Sequence, residues 1–490
     1  MIVAGLDLGT SSCKFTVSEG NQVLVHTTVA YKAQRIGDSH TLDANLVWLG
    51  VCKAIHETVE KVPAVRDLSA IAVSSFGEAA VPLDKSGDVL APSLLFWDNS
   101  GMKEVETLCN QLGRVTIRDQ VGIDPHHMFT INKLMWIMKN ANYASDIAYF
   151  PLFEDFIIYR MTGEKMISYS LAGRTMAFDV NDRQWAEMIL DAAGIDSALL
   201  SKPVSSGTVA GVISPLVAQE LGLSNNVRIV TGGHDQMCAA LGVGAVDPGL
   251  GGNGCGTVEA FAVTLPDNCN LDLLCSNTYN RSVHADPRSC FTYSFASTGS
   301  MVINWYVETF GLQAPTGKFD DLEEKAPTKP TKLMVLPYLA GTGTPWMDFD
   351  ARGLLSGISL DTTRYDLYRA LLEGLTYDLA RNIQVMEKCG VPVSKLHVSG
   401  GGARSHLWMQ IKADITGYPV CRMENSQAGT LGCIMLALNA MGQYRSIHEA
   451  VDNLVAVKDT FYPDAENHAF YAKQLEKFDQ WHESERLLRD

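Results

Sequence analysis

The chain has 490 residues, 46% of them hydrophobic and 19% charged, which is enough for two or three ordered domains with large cores. A formal net charge of −16 argues against a nucleic-acid or anionic-membrane partner, while leaving room for phosphate bound by a local glycine loop. Eleven cysteines without a C-x-x-C pair point to reduced thiols in a cytoplasm, not to a disulfide framework or a zinc site.

The N-terminus enters a strand at once, so no signal peptide is expected, and no apolar run nears the ~18 residues of a membrane span. Ile2, Ala4, Leu6 and Leu8 alternate with Val3, Gly5 and Asp7, the period of a strand over 2–8. The turn Gly9-Thr10-Ser11-Ser12 leads to strands at 13–18 and 22–30, joined at Gly20-Asn21. Asp7 thus sits at the mouth of a turn whose N–H groups and hydroxyls suit an anion. Lys14 adds charge, and Asp7 is placed to hold a hydrated Mg²⁺ against phosphates. The alternative is a surface hairpin with an incidental carboxylate.

Further along, a helix is expected near 44–62, a strand at 69–76, a hairpin around residues 84–88, and helices near 101–112, 130–140 and 214–222. Val227 to Val230 is a short buried strand ending in Thr231-Gly232-Gly233-His234-Asp235. Pro248-Gly249 opens strands at 256–264, 275–279 and 290–296. Residues 315–332 read as a surface loop with a short helix. Leu367, Leu371, Leu375, Leu379 and Ile383 recur every four residues in a helix over 364–388, with Gly390 beyond its end. A strand at 395–399, the turn Gly400-Gly401-Gly402 and a helix at 405–415 follow. Strands, glycine turn, strands and helix recur in both halves. The expected division is 1–247 and 248–490, two α/β domains with a ligand cleft between them.

Glycine-rich turns at 9–12, 232–233, 251–256 and 400–402 let backbone approach a ligand closely. Gly249 to Gly254 satisfies G-x-G-x-x-G, but a strand is expected where a dinucleotide fingerprint needs a helix, so hydride transfer is disfavoured. Asp235 is the candidate general base for a hydroxyl attacking a γ-phosphoryl group. It reads equally as the N-cap of a helix begun by Gln236, and a cap there also faces an anion site. Glu78, beside Gly77 and two alanines, suits a polyol or is a solvated hairpin residue. Trp97-Asp98-Asn99 is either a sugar-binding edge or a core Trp followed by a turn. His126-His127 is a loop pair without a third ligand for a metal.

These turns, in this order, resemble the FGGY family of carbohydrate kinases over nearly the whole chain. Two signatures carry most of the likeness. One is Met128-Phe129-Thr130-Ile131-Asn132-Lys133-Leu134-Met135-Trp136. The other is Gly353-Leu354-Leu355-Ser356-Gly357-Ile358, continuing through Asp366 to Glu373. The resemblance implies an α/β fold of two ribonuclease-H-like domains of the actin/hexokinase ATPase type, domain closure, and ATP-dependent phosphorylation of a sugar hydroxyl. It implies Asp235 as catalytic base and Asp7 with Asp235 near Mg²⁺. Gly9, Thr10, Ser11, Lys14, Gly256, Thr257, Gly401, Gly402 and Ala403 would surround ATP. Phe76, Gly77, Glu78, Trp97, Asp98, Asn99 and Gln236 would meet the sugar.

Glycerol kinases carry Gln-Arg-Glu where this chain has Phe76-Gly77-Glu78. The missing Arg implies vacated volume for a larger ketose, with Phe76 and Trp97 against its apolar face. The motifs look closest to L-fuculokinase and xylulokinase types. Glycerol or gluconate kinases, a non-catalytic actin-like ATPase and a sugar-binding regulator are the rivals. No nucleic-acid or membrane partner is expected, and a homodimer is possible.

Overall fold

A computed structural model describes residues 1–311 and 320–489 of the chain. By its contacts the chain forms two units. The first comprises Met1–Gly242, Asn280–Phe291 and Gln427–Leu454. The second comprises Val243–Tyr279, Thr292–Ser426 and Val455–Asp490. Neither is one stretch of sequence. The first unit's leading segment ends at Gly242, whereas the sequence placed a division at 247, and two later segments return to it.

The first unit is built on a six-stranded sheet. Its strands are β1 (Ile2–Leu8), β2 (Ser12–Glu19), β3 (Gln22–Ala30), β4 (Ala70–Ser75), β5 (Val209–Val212) and β6 (Arg228–His234). Their order is β5-β6-β4-β1-β2-β3. β1 runs parallel to β4, as does β6, while β2, β3 and β5 pair antiparallel. β1 and β4 are buried along nearly their whole length, as central strands covered on both faces must be. The Ala44–Lys61 helix starts where Asp43 accepts from the Asn45 N–H at 2.9 Å and stops just before Pro63.

The Ala428–Ala440 helix belongs to this unit although it lies nearly two hundred residues beyond the rest of the sheet. Small residues let it approach. A Cβ on Gly5 would strike the Thr430 carbonyl, one on Gly242 the Ala428 carbonyl, and one on Gly432 the Cys238 carbonyl. Backbone therefore meets backbone where this helix crosses β1 and the Asp235–Gly242 helix.

The second unit repeats the arrangement. Its strands are β7 (Gly249–Cys255), β8 (Glu259–Thr264), β9 (Cys290–Ala296), β10 (Val393–Ser399), β11 (Val420–Met423) and β12 (Val457–Phe461). These six of the sheet's seven strands are ordered β9-β8-β7-β10-β11-β12. β7 is parallel to β10 and β10 to β11, with β8 and β12 antiparallel to their neighbours. The Arg364–Lys388 helix opens with a capping box, Thr363 and Asp366 each accepting from the other's N–H.

Two expectations fail here. The glycines of 251–256 are not a turn: β7 runs from Gly249 to Cys255. It is glycine-rich because neighbouring strands crowd it, and a Cβ on Gly251 would enter the Phe261 ring. Residues 275–279 are not a strand: Leu271–Ser276 is a helix, capped by Asn270. The expected hairpin around 84–88 reduces to single bridges from Leu83 to Val89 and to Tyr149. Of the stretch 315–332, residues 315–319 lie outside the described residues, and Asp320–Lys325 is a short helix.

Candidate active site

β1 delivers Asp7 one residue before its C-terminal end. Cross-strand register sets it opposite Lys14, whose Nζ is 3.6 Å from Oδ2. From β4, Ser74 Oγ donates to Oδ1 at 2.8 Å. The turn that follows is tied at both ends. The Gly9 N–H donates to the Ser12 carbonyl at 2.9 Å, and the Tyr31 hydroxyl donates to the Gly9 carbonyl at 2.6 Å. Gly9, Thr10, Ser11 and Lys14 therefore form a fixed loop beside a nearly buried carboxylate. A contact invisible in sequence completes the wall: a Cβ on Gly429 would lie 2.9 Å from Asp7 Oδ2.

β6 runs through Gly232-Gly233 with a bulge in its register there, and ends at His234. Asp235 opens the Asp235–Gly242 helix, so its carboxylate stands at a helix N-terminus. His234 Nε2 lies 3.2 Å from Asp235 Oδ1. Burial, then the Arg174 charge, holds His234 well below the usual imidazole range, so this contact sets a neutral ring beside the Asp235 carboxyl group. Burial, then repulsion from Asp7 and Glu78, pushes Asp235 up to about 7, against the Gln236 N–H and Lys14. A carboxylate balanced near neutral pH suits proton transfer. Asp7 and Asp235 repel each other, which hard-oxygen binding of a divalent cation would relieve. No group of three or more His, Cys, Asp or Glu among the described residues could hold a metal without other ligands.

Around Glu78 the structure corrects the sequence. Gly77 leaves no vacated volume, because the Arg174 side chain fills it: a Cβ on Gly77 would lie 2.9 Å from Arg174 Cβ and Cγ. Arg174 Nε is 2.7 Å from Glu78 Oε1 and Nη2 is 2.6 Å from the same oxygen. Both side chains are buried, and the guanidinium carbon sits 4.9 Å from the Phe129 ring centroid. Glu78 adopts φ +70°, a left-handed backbone costing about 1 kcal/mol for a residue with a Cβ, and Thr130 Oγ1 donates to its carbonyl at 3.0 Å. Glu78 is thus neither a solvated hairpin residue nor a lone acceptor. It is half of a buried ion pair with a partner 96 positions away.

Phe76 does not face a ligand; it is buried in the sheet's core against Phe153, with centroids 4.8 Å apart. Trp97 is partly exposed, edge-on to Phe96 at 4.5 Å. Asp98 is buried and committed to backbone, accepting from the His40 N–H at 2.7 Å and the Ser100 N–H at 2.9 Å. Asn99 is exposed and Gln236 half-buried. Between the two carboxylates lies a residue the sequence marked without a role. Lys133 is buried, donates to the Leu95 carbonyl, and is pushed down to about 7 by burial against the pull of Glu78 and Asp98. The His126 and His127 rings are tilted by 35° with centroids 4.3 Å apart, and burial first, then the neighbouring ring, lowers His126 to about 4.

In the second unit, parallel register sets Gly254 of β7 opposite Ser399 of β10, so the loops after both strands lie side by side. A Cβ on Gly400 would lie 2.7 Å from the Cys255 carbonyl. Gly256 and Thr257 are held by the Ser300–Thr309 helix start: the Ser300 N–H donates to the Gly256 carbonyl at 3.0 Å and the Met301 N–H to the Thr257 carbonyl at 3.2 Å. Gly401 faces open space, whereas a Cβ on Gly402 would strike Cys255 Sγ and lie 2.6 Å from Trp408 Cζ3. Ala403 is buried, and Arg422 Nη1 donates to its carbonyl at 3.3 Å, so its methyl group has a packing role.

The N-terminal domain of the FGGY family of carbohydrate kinases matches residues 2–242, and the C-terminal domain of the same family matches residues 253–441. A xylulose kinase of Staphylococcus epidermidis is 28% identical over 482 residues, covering 96% of this chain and 94% of the relative. An L-fuculokinase of Escherichia coli K12 is 27% identical over 404 residues, covering 81% of this chain and 82% of the relative. A crystal structure of a "xyloylose kinase" from Brucella ovis superposes with a TM-score of 0.89 at 22% identity, covering 100% of both chains, and establishes the fold. Two sheets of similar strand order, a carboxylate near the end of the first strand and another at a helix N-terminus therefore have a family: this chain belongs to the FGGY carbohydrate kinases, enzymes that transfer phosphate from ATP to a sugar hydroxyl.

Proposed function

We propose that this chain is an ATP-dependent ketose kinase, of xylulose- or fuculose-type specificity, with Asp235 as its general base. The observation that carries the role of Asp235 is a carboxylate at a helix N-terminus whose pKa is raised to about 7. It accepts the proton of the attacking hydroxyl as the γ-phosphoryl group transfers, a role worth roughly 10²–10⁴-fold in rate. The xylulose kinase and L-fuculokinase names of the relatives favour a ketose over the rival sugars. A general base beside a sugar-kinase signature also argues against a non-catalytic ATPase or a regulator.

Glu78 and Arg174 orient the sugar. Both Arg174 contacts fall on Glu78 Oε1, and Oε2 is the oxygen assigned to a sugar hydroxyl. Gln236 and Trp97 complete the acceptor edge. Gly9, Thr10, Ser11 and Lys14 meet phosphate in the first unit. Gly256, Thr257, Gly401 and Gly402 meet the nucleotide in the second. Asp7, with Asp235, would hold a hydrated Mg²⁺, which when bound neutralises charge on the phosphates. A cytoplasmic setting fits eleven cysteines; among the described residues no helix is long and apolar enough to cross a membrane. An ADP-release assay over D- and L-xylulose, L-fuculose, D- and L-ribulose, L-rhamnulose, glycerol and gluconate tests the reading. A ketose should give the highest kcat/KM, and glycerol or gluconate giving it would overturn the reading.

A further inference from the structure

Phosphoryl transfer as described gives no task to the fully buried carboxyl group of Glu154. Glu154 lies in the first turn of the Phe153–Thr162 helix, at 0% exposure. Its contacts reach three segments of chain. Its backbone N–H donates to Ser75 Oγ at 3.0 Å, at the end of β4 and just ahead of Gly77-Glu78. Its Oε2 accepts from the Ser168 N–H at 3.0 Å and from Ser168 Oγ at 2.8 Å. Its other oxygen, Oε1, is buried without a hydrogen-bond partner, with the Gly232 N–H at the bulge in β6 near enough to favour the charged form.

Each segment leads to a residue of the candidate site. β4 leads to Glu78. Ser168 caps the Tyr169–Ala172 helix, which leads to Arg174. Gly232 lies three residues before Asp235. A second link joins the last two: the His234 N–H donates to Ser170 Oγ at 3.0 Å, and the Ser168 and Ser170 hydroxyls are 3.4 Å apart. Thus Glu78, Arg174 and Asp235 arrive on three separate stretches; Glu154 bonds two of them directly, at Ser75 and Ser168, and the third is tied in through Ser170 and the His234 N–H.

A carboxyl group is a costly way to fill a core position. Burial without compensation penalises it by several kcal/mol, on the order of the loss for any unpaired polar group or more. Here both donors come from Ser168 and fall on one oxygen, Oε2, while Oε1 stays buried without a partner. Burial pushes the group up to about 8 even against those donors, so the packing holds it there at a cost.

We propose that Glu154 is a positioning residue for phosphoryl transfer, fixing the ends of β4, β6 and the Ser168–Arg174 segment so that Asp235 is aimed at the attacking hydroxyl. It touches no reacting atom and acts through Ser75, Ser168 and Ser170. The inference rests on Asp235 being the base, as proposed above.

Glu154→Gln keeps the shape and one acceptor oxygen. If that oxygen serves Ser168, the amide NH₂ takes the place of the partnerless Oε1 and gains no acceptor there, so a donor is buried unpaired beside the Gly232 N–H. The expected result is a kcat lowered by between about 10-fold and 100-fold, the scale of a misaimed catalytic group. The KM for ATP should stay within about twofold, because the ATP-facing loops do not touch Glu154. Ser170→Ala, which removes the acceptor for the His234 N–H and leaves Glu154 intact, should lower kcat in the same direction with the same KM split. It decides the matter if Glu154→Gln does not fold. Folded variants with kcat near wild type overturn the proposal, and so does a loss confined to KM. Asp235→Asn is measured alongside. If it keeps its turnover, the base assignment fails and takes this inference with it. If it is inactive while both other variants remain active, only the role of Glu154 fails.

Discussion

The Glu78–Arg174 pair gives the sharpest energetic prediction. Both side chains are about 6% exposed, and both guanidinium contacts fall on one oxygen at 2.6 and 2.7 Å. Glu78→Gln leaves a buried guanidinium without its counter-charge; Arg174→Met leaves a buried carboxylate. Breaking such a pair by removing one partner costs about 3–5 kcal/mol, most of it the uncompensated charge. In the double variant neither charge remains, and Met keeps much of the Arg stem that packs on Gly77. The double variant should therefore be more stable than the two single losses predict, with a coupling energy of about 2–3 kcal/mol. The assay is chemical denaturation of the unliganded protein, fitted with a transition for each unit because a two-unit chain need not unfold in one step. Each single variant should also raise the KM for the ketose more than that for ATP. Single losses under about 1 kcal/mol that simply add would be the behaviour of a solvated surface pair, and would refute the claim that Arg174 occupies the space beside Gly77 as a charged clamp.

Three further outcomes follow from the same geometry. Because Asp235 must be ionised to accept a proton and its pKa is raised to about 7, kcat/KM should rise with pH through an apparent value near 7. A profile already flat at pH 5.5 would contradict the assignment. The same shift has a stability consequence. A folded-state value above the ordinary 3.8 contributes stability fully present below about pH 3.8 and lost as pH rises through about 7. Asp235→Asn should therefore match wild type in acid and exceed it in unliganded stability above pH 7; equal melting curves at pH 8 would argue against a raised pKa. Gly401→Ala should weaken ATP binding with the fold untouched, since a Cβ there meets nothing, whereas Gly402→Ala should lower stability through Cys255 and Trp408. Reversal of those two effects, read by thermal melts and nucleotide titration, would overturn the assignment of this loop.

The pieces legible in sequence were local ones. The alternation of 2–8 and the polar turn after it fixed β1, β2 and the position of Asp7, because a period of two is a short-range signal. The leucines every four residues, with a glycine just beyond the end, marked the Arg364–Lys388 helix. What failed depended on distant chain. In the Gly249–Cys255 strand the Phe261 ring takes the space a Cβ on Gly251 would need, and by its own sequence the segment reads as a turn. The uniformly apolar Ala428–Ala440 helix has no face to detect, being buried along nearly its whole length, so neither it nor the approach of Gly429 to Asp7 was foreseen. Arg174 is the plainest case. Gly77 signalled room for a side chain, and only the fold shows that an arginine from another segment takes it.

The account stands most directly on a phosphorus NMR measurement of wild type and Asp235→Asn, each given Mg²⁺, ATP and the best ketose from the ADP-release screen. Wild type should convert the γ-phosphate signal into that of a ketose monophosphate. The variant should bind ATP and form no more than about 1% of that product in the same time, consistent with the roughly 10²–10⁴-fold worth of a general base. Ketose phosphate formed by the variant at the wild-type rate, or inorganic phosphate as the only product of wild type, would contradict it.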